Sequence, residues 1–330
     1  MKIKNRVGLG TFPLAGVFDE LNDESAIKIT RSFLDNGGYF IDTAPLYGFG
    51  RVEKIVGKSL KDYLRDDYFI TTKCGYVDVE GKNFQTVQKG ARKEDVIREC
   101  ELSLKRLGLD DIDLYLVHSP DKLTPFDETI EALEMLQGQG KVREIGVSNV
   151  NLAELKDYNR HNNIKYVQNR FSLINRSIDD EFEKYLLSNN VGLVPYQVID
   201  RGQLTESALD GFNNMRIGDL RQGRSDWKEN KVNVITNWVK ESIYPISRRL
   251  NITISQLSIA WALNQKYVSF VIIGATKAEH VPLNLIANSV ELSTDTLKEI
   301  DNAYLQLENQ VKERYNQTLR EFRGLNEKYY

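Results

Sequence analysis

Eight short stretches of the chain are almost continuously apolar: 7–12, 39–44, 68–75, 112–119, 142–149, 166–172, 191–198 and 268–275. A strand that faces water on one side alternates apolar with polar residues, whereas a strand buried on both faces reads as an unbroken apolar run. The runs therefore predict buried parallel strands. Segments between them follow a helical period. In 25–34, Ala26, Ile27, Ile29 and Phe33 fall roughly on one side. In 94–107, Val96, Ile97, Cys100, Leu104 and Leu107 recur mostly at steps of three and four. Ile130, Leu133 and Leu136 mark a third helix over 127–136, and Asn151 stands where it would cap a fourth over 151–158.

Strands alternating with helices eight times over predict an α/β fold of the (β/α)8 TIM-barrel type. The rival, a doubly wound sheet, usually carries a Gly-rich phosphate loop after its first strand. Here Gly8-Leu9-Gly10 is followed by Thr11, Phe12 and Pro13, and G-x-G-x-x-G occurs nowhere. Two parts exceed a minimal barrel. The first is a long loop after the seventh strand, residues 200–231, with Arg201, Arg216, Arg221, Arg224 and Lys228 and little periodicity. Loops of that length are usually functional or disordered. The second begins at Thr294 and reads as one long helix. Its apolar stripe is Leu297, Ile300, Tyr304, Leu307, Val311, Leu319 and Phe322. No composition break marks a second domain. Residues 1–330 are expected to form a single barrel domain, with 294–330 as a helical extension.

Charge narrows the function classes. Lys plus Arg number 44 and Asp plus Glu 47, a formal net charge of −3. That balance offers no basic patch for nucleic acid and no basic block for a membrane surface. Cys74 and Cys100, with His118, His161 and His280, are too few for a disulfide framework or a histidine-rich metal centre, so no metal is expected. Residues 1–6 lack a leader's apolar stretch, and no run approaches the ~18 apolar residues of a spanning helix. A soluble cytoplasmic protein is the expectation.

Barrel enzymes carry their chemistry at the C-terminal ends of the strands. The polar residues closing the apolar runs are Asp42, Lys73, His118, Ser148 with Asn149, Gln168 with Asn169, and Tyr196; Tyr47 follows soon after Asp42. A lysine closing an apolar strand needs an anionic partner, because burying it uncompensated is costly. Asp42 can supply one through a charge-assisted bond. Tyrosine is a poor acid near neutral pH, with an unperturbed pKa of about 10. A neighbouring ammonium favours its phenolate. A histidine can donate to a carbonyl oxygen. Tyr47, Lys73, Asp42 and His118 together fit proton transfer at a carbonyl or alcohol oxygen. An isomerase or lyase could use such a set; a reductase also needs a hydride source. Cys74 beside Lys73 points to the opposite face of its strand.

At these residues the sequence resembles the aldo-keto reductase family. The likeness is carried by Gly8-Leu9-Gly10-Thr11, Phe40-Ile41-Asp42-Thr43-Ala44 with Tyr47-Gly48, and Thr71-Thr72-Lys73. Further motifs are the stretches 113–121, 141–149, 167–173 and 271–277, so that the ordered match covers roughly 5–290. The resemblance implies a barrel oxidoreductase dependent on a nicotinamide coenzyme, NADP or NAD, acting on a small carbonyl or alcohol such as an aldehyde, ketone, sugar or polyol. It implies Tyr47 as acid and base, assisted by Lys73, Asp42 and His118. Ser148, Asn149 and Gln168 would hold the nicotinamide carboxamide, and Tyr196 would stack on its ring. Gly274, Thr276, Lys277, His280 and Asn284 would hold the adenosine end. As cationic or hydroxyl donors, Thr276, Lys277 and His280 suit a 2′-phosphate, which favours NADP over NAD, and the arginines of the 200–231 loop, Arg201 among them, are candidates to close over the pyrophosphate as mobile lids do. The chain departs from many relatives in following its stacking tyrosine with Gln197-Val198-Ile199. A nicotinamide-binding regulator that senses redox state and acts on a partner protein is the alternative function. The distal half of the long helix, 311–325, is a candidate contact between copies of the chain, since sustained apolar spacing is what helix pairing requires.

Overall fold

A computed structural model describes residues 5–212 and 215–324. Its strands are β1 (Val7–Gly10), β2 (Phe40–Asp42), β3 (Phe69–Val77), β4 (Gln88–Gly90), β5 (Ile112–Val117), β6 (Val142–Ser148), β7 (Ile164–Gln168), β8 (Gly192–Leu193) and β9 (Val271–Gly274). All but β4 lie parallel in the order β8-β7-β6-β5-β3-β2-β1-β9. The two ends of that order meet. Leu193 bridges Val268 in parallel, its N–H donating to the Tyr267 carbonyl at 2.7 Å, and the Ile272 N–H reaches the Pro195 carbonyl at 2.9 Å. The sheet is thus a closed eight-stranded barrel, and each predicted apolar run supplies one of its parallel strands.

The alternation of side chains decides what fills it. Phe40, Leu114, Leu116, Val194 and Ile272 cluster inside with Phe69, Tyr166 and Phe270. The Phe40 and Phe270 rings stack at 4.5 Å. Their sequence neighbours Ile41, Ile70, Tyr115 and Ile273 point outward into the larger core beneath the helices. Gly8 faces inward, where an added Cβ would lie 2.7 Å from the Phe40 ring.

The helices are α1 (Asp23–Asp35), α2 (Arg51–Leu60), α3 (Lys93–Leu107), α4 (Phe126–Gly138), α5 (Leu152–Tyr158), α6 (Asp180–Ser188), α7 (Glu229–Trp238), α8 (Tyr244–Arg249), α9 (Ile254–Leu263), α10 (His280–Ile286), α11 (Thr294–Tyr315) and α12 (Leu319–Phe322). Asn151 caps α5 as expected, accepting the Glu154 N–H while the Glu154 carboxylate accepts from the Asn151 N–H. Among the described residues no helix is long and apolar enough to cross a membrane.

Beyond the predicted run, β3 continues to Val77, and β4 pairs with it antiparallel, Tyr76 opposite Lys89. Two expectations are corrected. The 200–231 segment is not an open basic loop. Its described residues form short 3-10 turns, Arg201, Arg221 and Arg224 pair with buried aspartates, and Arg216 donates to the Gly16 and Phe18 carbonyls. The long helix from Thr294 stops at Tyr315, because Asn316 adopts a left-handed conformation (φ 52°). Thr318 and Glu321 form a capping box that starts α12, which folds back onto the same chain. Val311, Leu319 and Phe322 are buried there, so the stripe expected to meet a second copy is covered within one chain. Leu325 lies outside the described residues.

Candidate active site

The interior face that carries the core also carries the polar residues. Counting two residues along each strand keeps the same face. Phe40 leads to Asp42, Phe69 and Thr71 to Lys73, Leu116 to His118, Tyr166 to Gln168, and Val194 to Tyr196. Gly146 likewise faces inward, where an added Cβ would meet Leu116 Cδ2 at 2.6 Å, and it leads to Ser148. Cys74 lies on the outer face, buried with the helices. The strands are parallel, so all these polar ends gather at one mouth.

Lys73 is fully buried there. Its Nζ donates to both carboxylate oxygens of Asp42 (2.9 and 2.8 Å), to the Thr43 carbonyl (2.8 Å) and to the Tyr47 hydroxyl (3.3 Å). Burial pushes the lysine down from its usual range, and Asp42 opposes that shift. Tyr47 lies in the turn after β2, its N–H bonded to the Ala44 carbonyl. Its ring is set edge-on against Phe12 at 5.1 Å and His118 at 5.9 Å. The fully buried His118 is held well below the ordinary imidazole range, first by burial and then by the charges of Lys73 and Lys89. A neutral ring follows at physiological pH. The structure therefore brings Tyr47, Lys73, Asp42 and His118 into one contact group.

Beside it is a second polar set, of hydroxyl and amide groups. Ser148 Oγ donates to the Gln168 carbonyl (2.8 Å). Asn149, left-handed at φ 59°, donates from Nδ2 to the His118 carbonyl (2.8 Å) and to Ser148 Oγ (3.1 Å). The Tyr196 hydroxyl donates to Asn149 Oδ1 at 2.6 Å. Gln168 Nε2 donates to Asp42 Oδ2 at 2.8 Å, joining the amide set to the lysine pair. Gln197 Oε1, next in chain to Tyr196, is a buried acceptor left without a donor. The adenosine-end candidates stand together after β9: Gly274 ends the strand, Thr276 is half-buried, and Lys277 and His280 are exposed where α10 begins. Asn284 is half-buried on α10. Arg201 is a different case. Its side chain is buried and donates to Asp226 at 2.9 Å, so it is a buttress of the loop base rather than an arginine open to the mouth.

Sequence reasoning missed the Thr43 carbonyl, which offers no side-chain signal, and the rim formed by β3 and β4. There Tyr76 sets its ring edge-on to His118 at 5.4 Å, and Lys89 Nζ lies 5.9 Å from the Tyr76 ring centre. It also missed Arg170, which follows Gln168 and Asn169 and pairs with the buried Asp200 at 2.5 Å. Among the described residues no group of three or more His, Cys, Asp or Glu side chains is placed to hold a metal ion.

Known proteins resemble this chain over most of its length. The model of the Aldo/keto reductase family matches residues 6–305. An NADH-specific methylglyoxal reductase of Escherichia coli is 31% identical over 303 residues, covering 88% of this chain and 91% of that protein. The glycerol dehydrogenase AKR11B4 of Gluconobacter oxydans superposes with a TM-score of 0.81 at 27% identity, over 91% of each chain. An aldo/keto reductase of Klebsiella pneumoniae, solved in complex with NADP and acetate, superposes with a TM-score of 0.69 at 26% identity, again over 91% of each chain. The chain thus belongs to the aldo/keto reductase family, as an oxidoreductase acting on carbonyl or alcohol groups.

Proposed function

We propose that this chain reduces a small aldehyde or ketone with NADPH, using Tyr47 as the proton donor, and oxidises the corresponding alcohol in reverse. The observation that carries the reading is the Tyr47 hydroxyl 3.3 Å from the Lys73 ammonium, which is itself fixed by Asp42 and the Thr43 carbonyl.

The donor set fits a nicotinamide. Ser148, Asn149 and Gln168 present hydroxyl and amide groups that complement a carboxamide. The half-exposed Tyr196 ring, tied down by Asn149, provides a flat face for stacking. When bound, the coenzyme supplies the hydride. Tyr47 gives its proton to the carbonyl oxygen, and the negative charge left on the phenol oxygen is met by Lys73. Asp42 holds that ammonium in place without competing for the proton. His118, kept neutral by burial, donates an N–H to the same carbonyl oxygen and polarises it. Preference for NADPH rests on Lys277 and His280, cationic or donor groups suited to a 2′-phosphate. The E. coli relative is NADH-specific by name and the K. pneumoniae relative was solved with NADP, so the choice is made by such local residues and not by the fold.

The test is Tyr47→Phe. Single-turnover reduction of a panel of short aldehydes should fall at least ~100-fold, the low end of general acid catalysis. NADPH binding, followed by fluorescence, should change little. A variant reducing at the wild-type rate would overturn the mechanism, and equal dissociation constants for NADPH and NADH would overturn the coenzyme assignment.

A further inference from the structure

Arg323, the residue that caps α12, lies 123 positions from Asp200 in sequence, and its side chain is 1% exposed. It donates from one nitrogen to Asp200 Oδ2 and from another to Gln203 Oε1 at 3.3 Å. Asp200 is equally buried, and its other oxygen accepts from Arg170 at 2.5 Å. Arg170 is joined by backbone to the proposed stacking residue. It forms a bridge with Tyr196, with the Tyr196 N–H on the Asn169 carbonyl (3.2 Å) and the Phe171 N–H on the Tyr196 carbonyl (3.3 Å). An unbroken path thus runs from Arg323 through Asp200 and Arg170 to Tyr196.

The segment at the middle of this path is strained. Gln197, Asp200 and Arg201 all have positive φ (56°, 45° and 54°), a region that residues other than glycine enter at a cost. Three such residues within five positions persist only where the surroundings over-determine them. The surroundings here are ion pairs: Asp200 with Arg170 and Arg323, and Arg201 with Asp226. α12 also meets the returning limb of the same loop. Gly324 packs so close to Ser225 that an added Cβ would lie 2.8 Å from its Oγ, and Lys231 Nζ stands 5.7 Å from the Phe322 ring centre. One short helix therefore clasps both roots of the 200–231 loop.

We propose that Arg323 is a positioning residue for the coenzyme: by clamping Asp200 it holds the strained turn after Tyr196 in the form that receives the nicotinamide. The proposal rests on the assignment of Tyr196 and its neighbours to that ring. Without the clamp the turn relaxes toward ordinary backbone, and coenzyme must select the minority of molecules that retain it. Apparent affinity falls by the fraction still competent, so a turn kept by about one molecule in ten weakens binding about tenfold.

The experiment compares the full-length wild type with Arg323→Met and Arg323→Lys. Two readouts are taken: NADPH dissociation constants by fluorescence, and the rate of tryptic cleavage within 200–231 in coenzyme-free protein, where Arg201, Arg216, Arg221 and Arg224 offer sites. Arg323→Met should weaken NADPH binding about tenfold and speed cleavage. Its loss should fall on the coenzyme constant and not on the single-turnover rate at saturating NADPH. Arg323→Lys, which keeps the charge, should recover most of both. Should Arg323→Met fail to fold, Leu319→Ala loosens α12 by packing alone and carries the same expectations. Unchanged NADPH affinity and unchanged cleavage in a folded variant would overturn the proposal. A wild type that binds no nicotinamide coenzyme would overturn the functional reading instead, while the cleavage rates would still decide whether Arg323 clamps the loop.

Discussion

Lys73→Met separates what the buried ion pair does for stability from what it does for catalysis. The substitution keeps the length of the side chain and removes its charge. Asp42 then loses the donor of two hydrogen bonds and keeps one, from Gln168 Nε2 at 2.8 Å, inside a site where it is 2% exposed. Leaving one partner of a buried pair uncompensated costs about 3–5 kcal/mol. A chain of 330 residues unfolds with an entropy of about 0.7 kcal/mol per kelvin, so the melting temperature should drop by about 4–7 °C. Tyr47→Phe removes a single 3.3 Å contact from a lysine that retains three others. It should cost ~1 kcal/mol and shift melting by no more than 1–2 °C. Asp42→Asn combined with Lys73→Met removes both charges and should recover most of the lost stability, since replacing a whole buried pair is nearly neutral. It should recover none of the turnover. Calorimetry and single-turnover kinetics on the three proteins read these quantities separately. A Lys73→Met protein that melts with the wild type, or a double variant no more stable than the single one, would refute the account of the pair.

Two further expectations follow from the same environment. Because burial and the charges of Lys73 and Lys89 depress His118, the folded protein binds fewer protons than the unfolded chain below pH 6.5. Stability should therefore decline as pH falls from 6.5, His118→Phe should lessen that decline in thermal melts, and kcat/KM should show no imidazole inflection between about pH 6 and 8. Both cysteines are buried, which pushes the Cys100 thiol up to about 12 and Cys74 higher still; neither should react with a thiol reagent at pH 8 until denaturant is added.

The barrel was legible because its strands are buried on both faces. Runs such as Val271–Gly274 leave no polar alternation to confuse with an edge strand. Lys73 stood out for the same reason, as a cation in a stretch where every neighbour is apolar or small. β4 was not legible: Gln88, Lys89 and Gly90 are three residues with no apolar signal, and they become a strand only by pairing with β3. The clamp on the loop was hidden by distance. Asp200, Arg170 and Arg323 are each an ordinary surface charge when read locally, and only folding brings them into one buried group. The break in the long helix did leave a trace. Thr318-Leu319-Arg320-Glu321 is a capping-box pattern that starts a new helix, but the apolar spacing from Val311 through Leu319 to Phe322 masks it.

The proposed catalytic residues and the barrel core are not independent inventions of the sequence. Phe40 and Asp42, Phe69 and Lys73, Leu116 and His118, Tyr166 and Gln168 share one face of their strands, the first of each pair closing the barrel interior and the second standing at its mouth. A slip of one residue in any of these strands would turn both members outward together. The hydrophobic force that seats Phe40 against Phe270 therefore also aims Asp42 at Lys73, and the same stack excludes water from below the ion pair. Register locks the Asp42 carboxylate, the Lys73 ammonium and the His118 imidazole to each other. It does not lock Tyr47, which comes from a turn, nor the segment after Tyr196, which leaves the ladder and bends through positive φ. Those two pieces must be held by other means: Tyr47 by Lys73 and the edges of Phe12 and His118, the turn by charges borrowed from α12. Fit to a particular substrate or coenzyme has room to change at the segment after Tyr196 and at the β3–β4 rim, while the pleat and the contacts on Tyr47 together keep the proton-transfer group in place.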